Sequence, residues 1–421
     1  MFIVKHTSGK TFTLILLLGF TNFIFPIHAQ PYVEGGKTRH RFAQLNLGID
    51  NRYFPGAGTH SAFINLSGNI QEFQLEDHSE TRLIIGGTHF WGHADFSITI
   101  PLISFGKSGF STGTETSVKY FPWRIENRKV TPFIGMALLP FQYKQGNGPE
   151  IKRFKYPAIT GIVFNYKNNL FEAGAGYNYS NTENYYISRT QNTSIKTQQL
   201  WFMLGAKIML ETTLSAEKNW LNNKTKLMTD TLASLQRLNS WVFAAGPSSA
   251  FFLNQSSYNN AIVPYADQHK ASIFPEFGLG YYFHQPDMQI NFAYRNVKSE
   301  IKAYEYAQKI NRKAFTMEAF KFIADYNGFA VFAGPAFSYE RLTLTEKMQD
   351  VLVTKKLSKG LKPGITFGWD IRPNRIQSWY LRTNLRYFPN LNIKMKENLE
   401  IALDQLEFNF IQLVLFPGRL F

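Results

Sequence analysis

The chain has no cysteine among its 421 residues. It forms no disulfides and cannot be anchored through a lipidated N-terminal cysteine. Long apolar runs are missing beyond the first thirty residues, so no later segment is long enough to cross a bilayer as a helix. Mean hydropathy is −0.22, which excludes a helical membrane protein. Acids are the minority charge, 30 against 45 Lys and Arg, for a formal +15. No glycine-rich loop precedes a helical pattern, so nothing points to nucleotide binding. Low-complexity tracts and a separate soluble domain are also absent.

Aromatic residues, by contrast, are plentiful: Phe, Tyr and Trp make 16% of the chain. Between about residues 41 and 416, apolar and polar residues alternate. Ile365, Phe367, Trp369 and Ile371 interleave with Thr366, Gly368, Asp370 and Arg372. After a turn at Pro373-Asn374-Arg375, Trp379, Leu381, Leu385 and Tyr387 oppose Tyr380, Arg382, Asn384 and Arg386. A period of two is a strand with one apolar and one polar face. Repeated along the chain, it predicts an all-β fold: a single antiparallel transmembrane β-barrel with lipid outside, a polar lumen inside and aromatic girdles at both interfaces. About sixteen strands fit, with about fourteen as the alternative.

The first 29 residues read as a cleaved signal peptide. Lys5 and Lys10 precede an apolar stretch at 11–25, and Ala29 offers a small residue before Gln30. Without Lys5 and Lys10 the +15 becomes +13. Residues 30–421 then form the barrel. Short connections at 126–129, 167–169, 285–287, 326–328 and 373–375 are rich in Asn, Asp, Pro and Gly, as tight hairpins require. They belong on the periplasmic rim. Long connections at 145–156, 180–196, 254–272, 344–361 and 390–404 belong outside. Residues 83–103 read as one strand with a bulge at Gly86-Gly87, or as two short ones, because the apolar parity flips there. Residues 62–73 read as another strand. Residues 211–239 suggest a helix that caps the rim or plugs the lumen.

The segments Leu83–Phe96, Gly328–Glu340 and Leu361–Pro389 resemble those of outer-membrane β-barrel proteins of Bacteroidetes-type bacteria, a porin- or transport-like group. The resemblance implies a location and a fold, and it implies insertion by the barrel-assembly machinery. In such proteins the final strand alternates apolar residues and ends in an aromatic. Counted back from Phe416, Val414, Phe410, Phe408 and Leu406 fit, and Gln412 does not.

Period-two parity selects the expected lumen-lining residues: His89, Trp91, His93, Asp95, Glu172, Lys207, Glu276, Asp370, Arg382, Arg386 and Glu407. His89, His93 and Asp95 have ligand chemistry. Four residues along a strand put His89 and His93 roughly 13 Å apart, too far for one metal. No Ser, His and acid set with a defensible relation stands out, so catalysis, metal and cofactor are not expected. Basic residues gather in connections instead, at Lys152, Arg153, Lys155, Lys355 and Lys356. These suit contact with lipopolysaccharide phosphates or other anions. The expected partners are the lipid bilayer, lipopolysaccharide and small solutes, with an oligomer or envelope complex open and nucleic acid excluded. The expected activity is passive passage of solutes across the outer membrane. The alternatives are a non-conducting structural or interaction barrel and a lipid-modifying hydrolase.

Overall fold

A computed structural model describes residues 43–56, 60–64, 67–105, 110–143, 151–211, 223–266, 268–326, 329–372, 375–395 and 398–420. The expected signal peptide and parts of the expected turns at 326–328 and 373–375 lie outside these residues.

Among the described residues, sixteen alternating segments form walls, and they close twice. The first ring holds β1 (Ala43–Phe54), β2 (His78–His89), β3 (Ala94–Phe105), β4 (Glu115–Tyr120), β5 (Val130–Tyr143), β6 (Ala158–Tyr166), β7 (Asn169–Tyr177) and β8 (Leu200–Glu211). Each pairs antiparallel with the next, and β1 returns to β8 through Gly48 opposite Lys207. Helix α1 (Asn223–Ser234) lies in the connection to the second ring. That ring holds β9 (Ser240–Phe252), β10 (Ala271–Phe283), β11 (Met288–Ala303), β12 (Tyr306–Tyr326), β13 (Phe329–Met348), β14 (Val351–Ile371), β15 (Trp379–Phe388) and β16 (Gln405–Leu415). It closes by pairing β9 with β16.

The expectation of one large barrel is therefore corrected to two rings of eight strands. Alternation fixes which face a residue takes, not how many strands share a ring. The break falls where the period-two pattern lapses, in the segment expected to cap or plug the barrel. Helix α1 lies in the link between the rings.

Three local readings change as well. Residues 83–103 belong to two strands, but Gly86-Gly87 is not a bulge: Gly86 opposes Ser97 and Gly87 opposes Phe96 in continuous register. The parity flips at the hairpin, where Phe90, Trp91 and Gly92 take left-handed φ of 53°, 57° and 91°. Residues 62–73 are not a wall strand; they fall in a small hairpin, His60–Ile64 with Ile70–Gln74. Residues 344–361 are not a loop. Strands β13 and β14 continue to a two-residue turn at Gln349 and Asp350, with φ of 50° and 61°. A second such turn, Tyr304-Glu305, joins β11 to β12. Positive φ at both central residues is the type I′ geometry that matches strand twist. Four strands therefore rise beyond the rest of the second ring. Smaller pieces fill the other long connections: the hairpins Thr182–Tyr186 with Asn192–Lys196 and Asn392–Lys394 with Glu400–Ala402, and helix α2 (Ser257–Ile262).

The final strand explains its own exception. Register breaks between Asn409 and Gln412 against β15, and between Ala245 and Ser248 against β9. This bulge switches parity, so Gln412 and Val414 face inward while Leu413 turns out.

Candidate functional site

Both lumens are filled by charge. In the first ring, inward parity on β1 to β8 brings together Asp50, Arg52, Glu80, Arg82, Asp95, Glu115, Lys119, Glu172 and Lys207, all buried. Near the long-connection rim, Arg82 donates to Glu80 at 2.8 Å and to the Gly113 carbonyl at 2.7 Å. Below it, Arg52 forks onto Glu115, reaches Asp50 at 2.9 Å and stacks 4.6 Å over Trp201. Lys119 bonds Glu172, and Lys207 bonds Asp95, which also accepts from Asn46 at 3.2 Å.

The second lumen repeats the design. Arg382 donates to both oxygens of Asp370, at 2.7 and 2.9 Å, above the Phe320 and Phe332 rings. Arg386 bridges Glu276 and Glu318. Arg295 bridges Glu318 and Glu407, and Arg312 bridges Glu340 and Glu407. Among the described residues, the layers just named set four cations among five carboxylates in each ring. Such charges survive burial because nearly every one is paired. An eight-stranded ring has an interior just wide enough for side chains to fill.

A polar cap closes the second ring at its long-connection end. Tyr306 donates to Glu346 at 2.6 Å, and Tyr258 of α2 reaches the same carboxylate at 3.2 Å. Gln308 exchanges hydrogen bonds with Asn259, both at 3.0 Å. His269 lies between Ser299 at 2.8 Å and Gln308 at 3.0 Å. Burial and the Glu346 charge push the Tyr258 hydroxyl up to about 12.

Of the residues expected to line one lumen, Asp95, Glu172 and Lys207 enter the first, and Glu276, Asp370, Arg382, Arg386 and Glu407 enter the second. His89, Trp91 and His93 are corrected. His89 takes the outward parity of β2, Trp91 is a turn residue, and His93 holds the Phe121 carbonyl at the turn with its Nδ1, at 2.9 Å. The hairpin that replaces the expected bulge is the reason. Among the basic candidates, Lys155 is buried and bonded to Glu183, and Arg153 pairs with the same acid at 3.3 Å. Lys152, beside them, offers its carbonyl to Arg153 at 2.8 Å. Lys355 and Lys356 are exposed, but on a strand and not in a loop.

Sequence reasoning missed Arg52, Glu80, Arg82, Glu115, Lys119, Arg295, Arg312, Glu318 and Glu340. It also missed a surface. On the rising strands, outward neighbours form rows across β11 to β14. Tyr294, Phe315, Tyr339 and Leu361 make one, all exposed. The next row, two residues further from the tight turns, is Asn296, Lys313, Arg341 and Lys359. Among the described residues, no carboxylate pairs with Lys313, Arg341 or Lys359. Like charges directly opposite one another destabilise a sheet, so this row is not explained by the fold.

Below the charged row the outward faces of both rings carry many exposed apolar side chains, among them Ile134, Leu204, Phe277, Phe292 and Ile365. A closed antiparallel ring with an apolar band outside and charge within is the outer-membrane arrangement, and the chain is an outer-membrane β-barrel protein. No protein-family model matches it. No curated protein matches its sequence. Several solved structures are similar to the chain at low identity. Ail of Yersinia pestis, solved with the heparin analogue sucrose octasulfate, is 9% identical over 42% of this chain and 96% of its own, with a TM-score of 0.27. OprG of Pseudomonas aeruginosa is 10% identical over 42% and 92%, at 0.29. An outer-membrane channel of Pseudomonas putida F1 is 5% identical over 88% and 95%, at 0.21.

Proposed function

We propose that the protein is a non-conducting twin barrel that anchors a basic ridge at the cell surface, where it holds lipopolysaccharide phosphates. One observation carries the first half. The ion-pair layers of Arg386 with Glu276 and Glu318, and of Arg52 with Glu115, occupy the cross-sections a solute would need. This reading displaces passive solute passage in favour of the interaction role. Opening either lumen would separate buried opposite charges, each separation costing about 3–5 kcal/mol.

The second half rests on the row of Lys313, Arg341 and Lys359. It lies two residues, roughly 7 Å, beyond the aromatic row of Tyr294, Phe315 and Tyr339. Aromatic girdles mark the interface, so the cations stand at phosphate height. Adjacent strands space them about 4.8 Å apart. Lys355 belongs to the same surface, two rows further out, opposite Thr345.

Two measurements test the reading. Purified protein in a planar bilayer should pass no steady current, and regular ohmic steps would overturn the non-conducting half. Vesicles carrying lipopolysaccharide should bind the detergent-exchanged protein more tightly than dephosphorylated ones. Replacing Lys313, Arg341 and Lys359 by Gln should remove that preference and flatten its salt dependence. Equal binding before and after substitution would overturn the ridge.

A further inference from the structure

The two rings touch along a seam, and the seam is incomplete. At the tight-turn rim, Phe90 packs on Phe329 at 5.2 Å and Phe96 on Trp369 at 6.0 Å. Beside these contacts lies a small cleft of about 40 Å³. Leu45, Gly87 and Phe96 of the first ring form one wall, and Trp369, Leu381 and Ile411 of the second form the other. Two polar atoms on its lining are buried and have no partner: Nε1 of Trp369 and Nδ1 of His89. Trp369 has outward parity yet is only 6% exposed, because the first ring covers it. His89 packs edge-on against Phe96 at 5.3 Å, and its ring folds over Gly87. A Cβ on Gly87 would stand 2.9 Å from the imidazole Nε2.

We propose that this cleft is a binding site for one membrane phospholipid, an acyl chain lying against its apolar walls and an ester carbonyl accepting the Trp369 indole N–H. Three features select this occupant. The walls are mostly apolar, and Leu45, Phe96, Trp369 and Leu381 on them take the outward parity of their strands, the face that meets acyl chains. Trp369 lies two residues from the end of β14, and His89 ends β2. Both therefore sit at the height where headgroup meets hydrocarbon and where Trp is favoured. A buried indole N–H without an acceptor is costly, and at that height the ester oxygen is the acceptor at hand. Neither polar atom is used by the ring-to-ring contact itself. The site rests on the membrane-spanning architecture and not on the surface ridge or the silent lumen, so failure of those leaves it standing.

The test uses the full-length protein, stripped of lipid in detergent and titrated with palmitoyl-oleoyl phosphatidylethanolamine under native mass spectrometry. A first lipid should bind well ahead of the rest. Trp369→Phe keeps the ring and removes the donor. It should weaken that first binding by roughly three- to tenfold, the worth of one hydrogen bond. Gly87→Val pushes the His89 ring into the slot and should abolish the first binding. Phe277→Leu, on the open outer face, should change nothing. Gel mobility of unheated samples reports whether each variant is folded; if Gly87→Val does not fold, Trp369→Phe decides. Uniform weak binding without a distinguished first lipid, or equal affinity in wild type and Trp369→Phe, overturns the site.

Discussion

Arg386 and Glu276 face each other across the second lumen, from β15 to β10, with both terminal guanidinium nitrogens donating to the two carboxylate oxygens at 2.7 and 2.9 Å. Arg386→Met should remove this fork and leave buried Glu276 without its closest cation, while Glu318 keeps Arg295 at 2.6 Å. Expected destabilisation is about 3–5 kcal/mol, read as a lower temperature at which the folded gel band is lost. Unchanged heat stability would mean that the pair contributes nothing.

Glycine size matters at Gly334. A Cβ there would lie 2.0 Å from the Ala319 carbonyl oxygen and 2.6 Å from the Phe320 Cα, both backbone atoms that cannot step aside. Gly334→Ala should cost about 1–3 kcal/mol through overpacking. Gly360→Ala, where nothing lies within 4 Å, should be close to neutral. Urea denaturation in detergent compares the two, and similar midpoints would contradict this account.

The cap should loosen in alkali before either ring does. Burial and Glu346 hold the Tyr258 hydroxyl at about 12, and burial holds Tyr304, which donates to the Tyr186 carbonyl at 3.0 Å, at about 12. Both lie above the unfolded value near 10. A raised pKa gives a contribution that is complete below about pH 10 and lost as pH rises through about 12. Tyrosinate absorbance should therefore show a late-titrating fraction, reduced in Tyr258→Phe. A single transition for all tyrosines near 10 would refute it.

At the opposite rim the sign reverses. Burial would raise the Asp287 pKa, but Arg372, donating at 3.0 and 2.8 Å, holds it below the usual carboxylate range. The contribution is present above about pH 4 and is lost as pH falls through the lowered value. Asp287→Asn should lower stability at neutral pH and remove this acid-sensitive part. A variant melting with the wild-type pH profile would rule the linkage out.

The sequence carried the facing of residues far better than their grouping. Asp370, Arg382 and Arg386 sit in clean alternation, so their inward direction was readable. Arg295 and Arg312 were not, because Ala293, Val297, Ile310 and Ala314 share their inward face and make a polar face look apolar. The split into two rings was hidden for another reason: β8 and β9 carry the same period as their neighbours, and closure is a property of pairing. His89 was misplaced because a left-handed Phe90 and Trp91 are costly for residues with a Cβ, and nothing local marks them as a turn. The row of Lys313, Arg341 and Lys359 spans three strands and becomes visible only once register is known.

Closure of each ring on its own first strand has a kinetic meaning. The pairing of β1 with β8 joins Gln44 to Glu211, a complete circuit before β9 begins. The first half can therefore finish without any backbone hydrogen bond from the second. Insertion as two successive seals is the order this pairing permits. A half-length chain ending after β8 should pass the membrane-insertion step unaided, whereas a permutation that moves β1 behind β16 should leave two open edges waiting for each other.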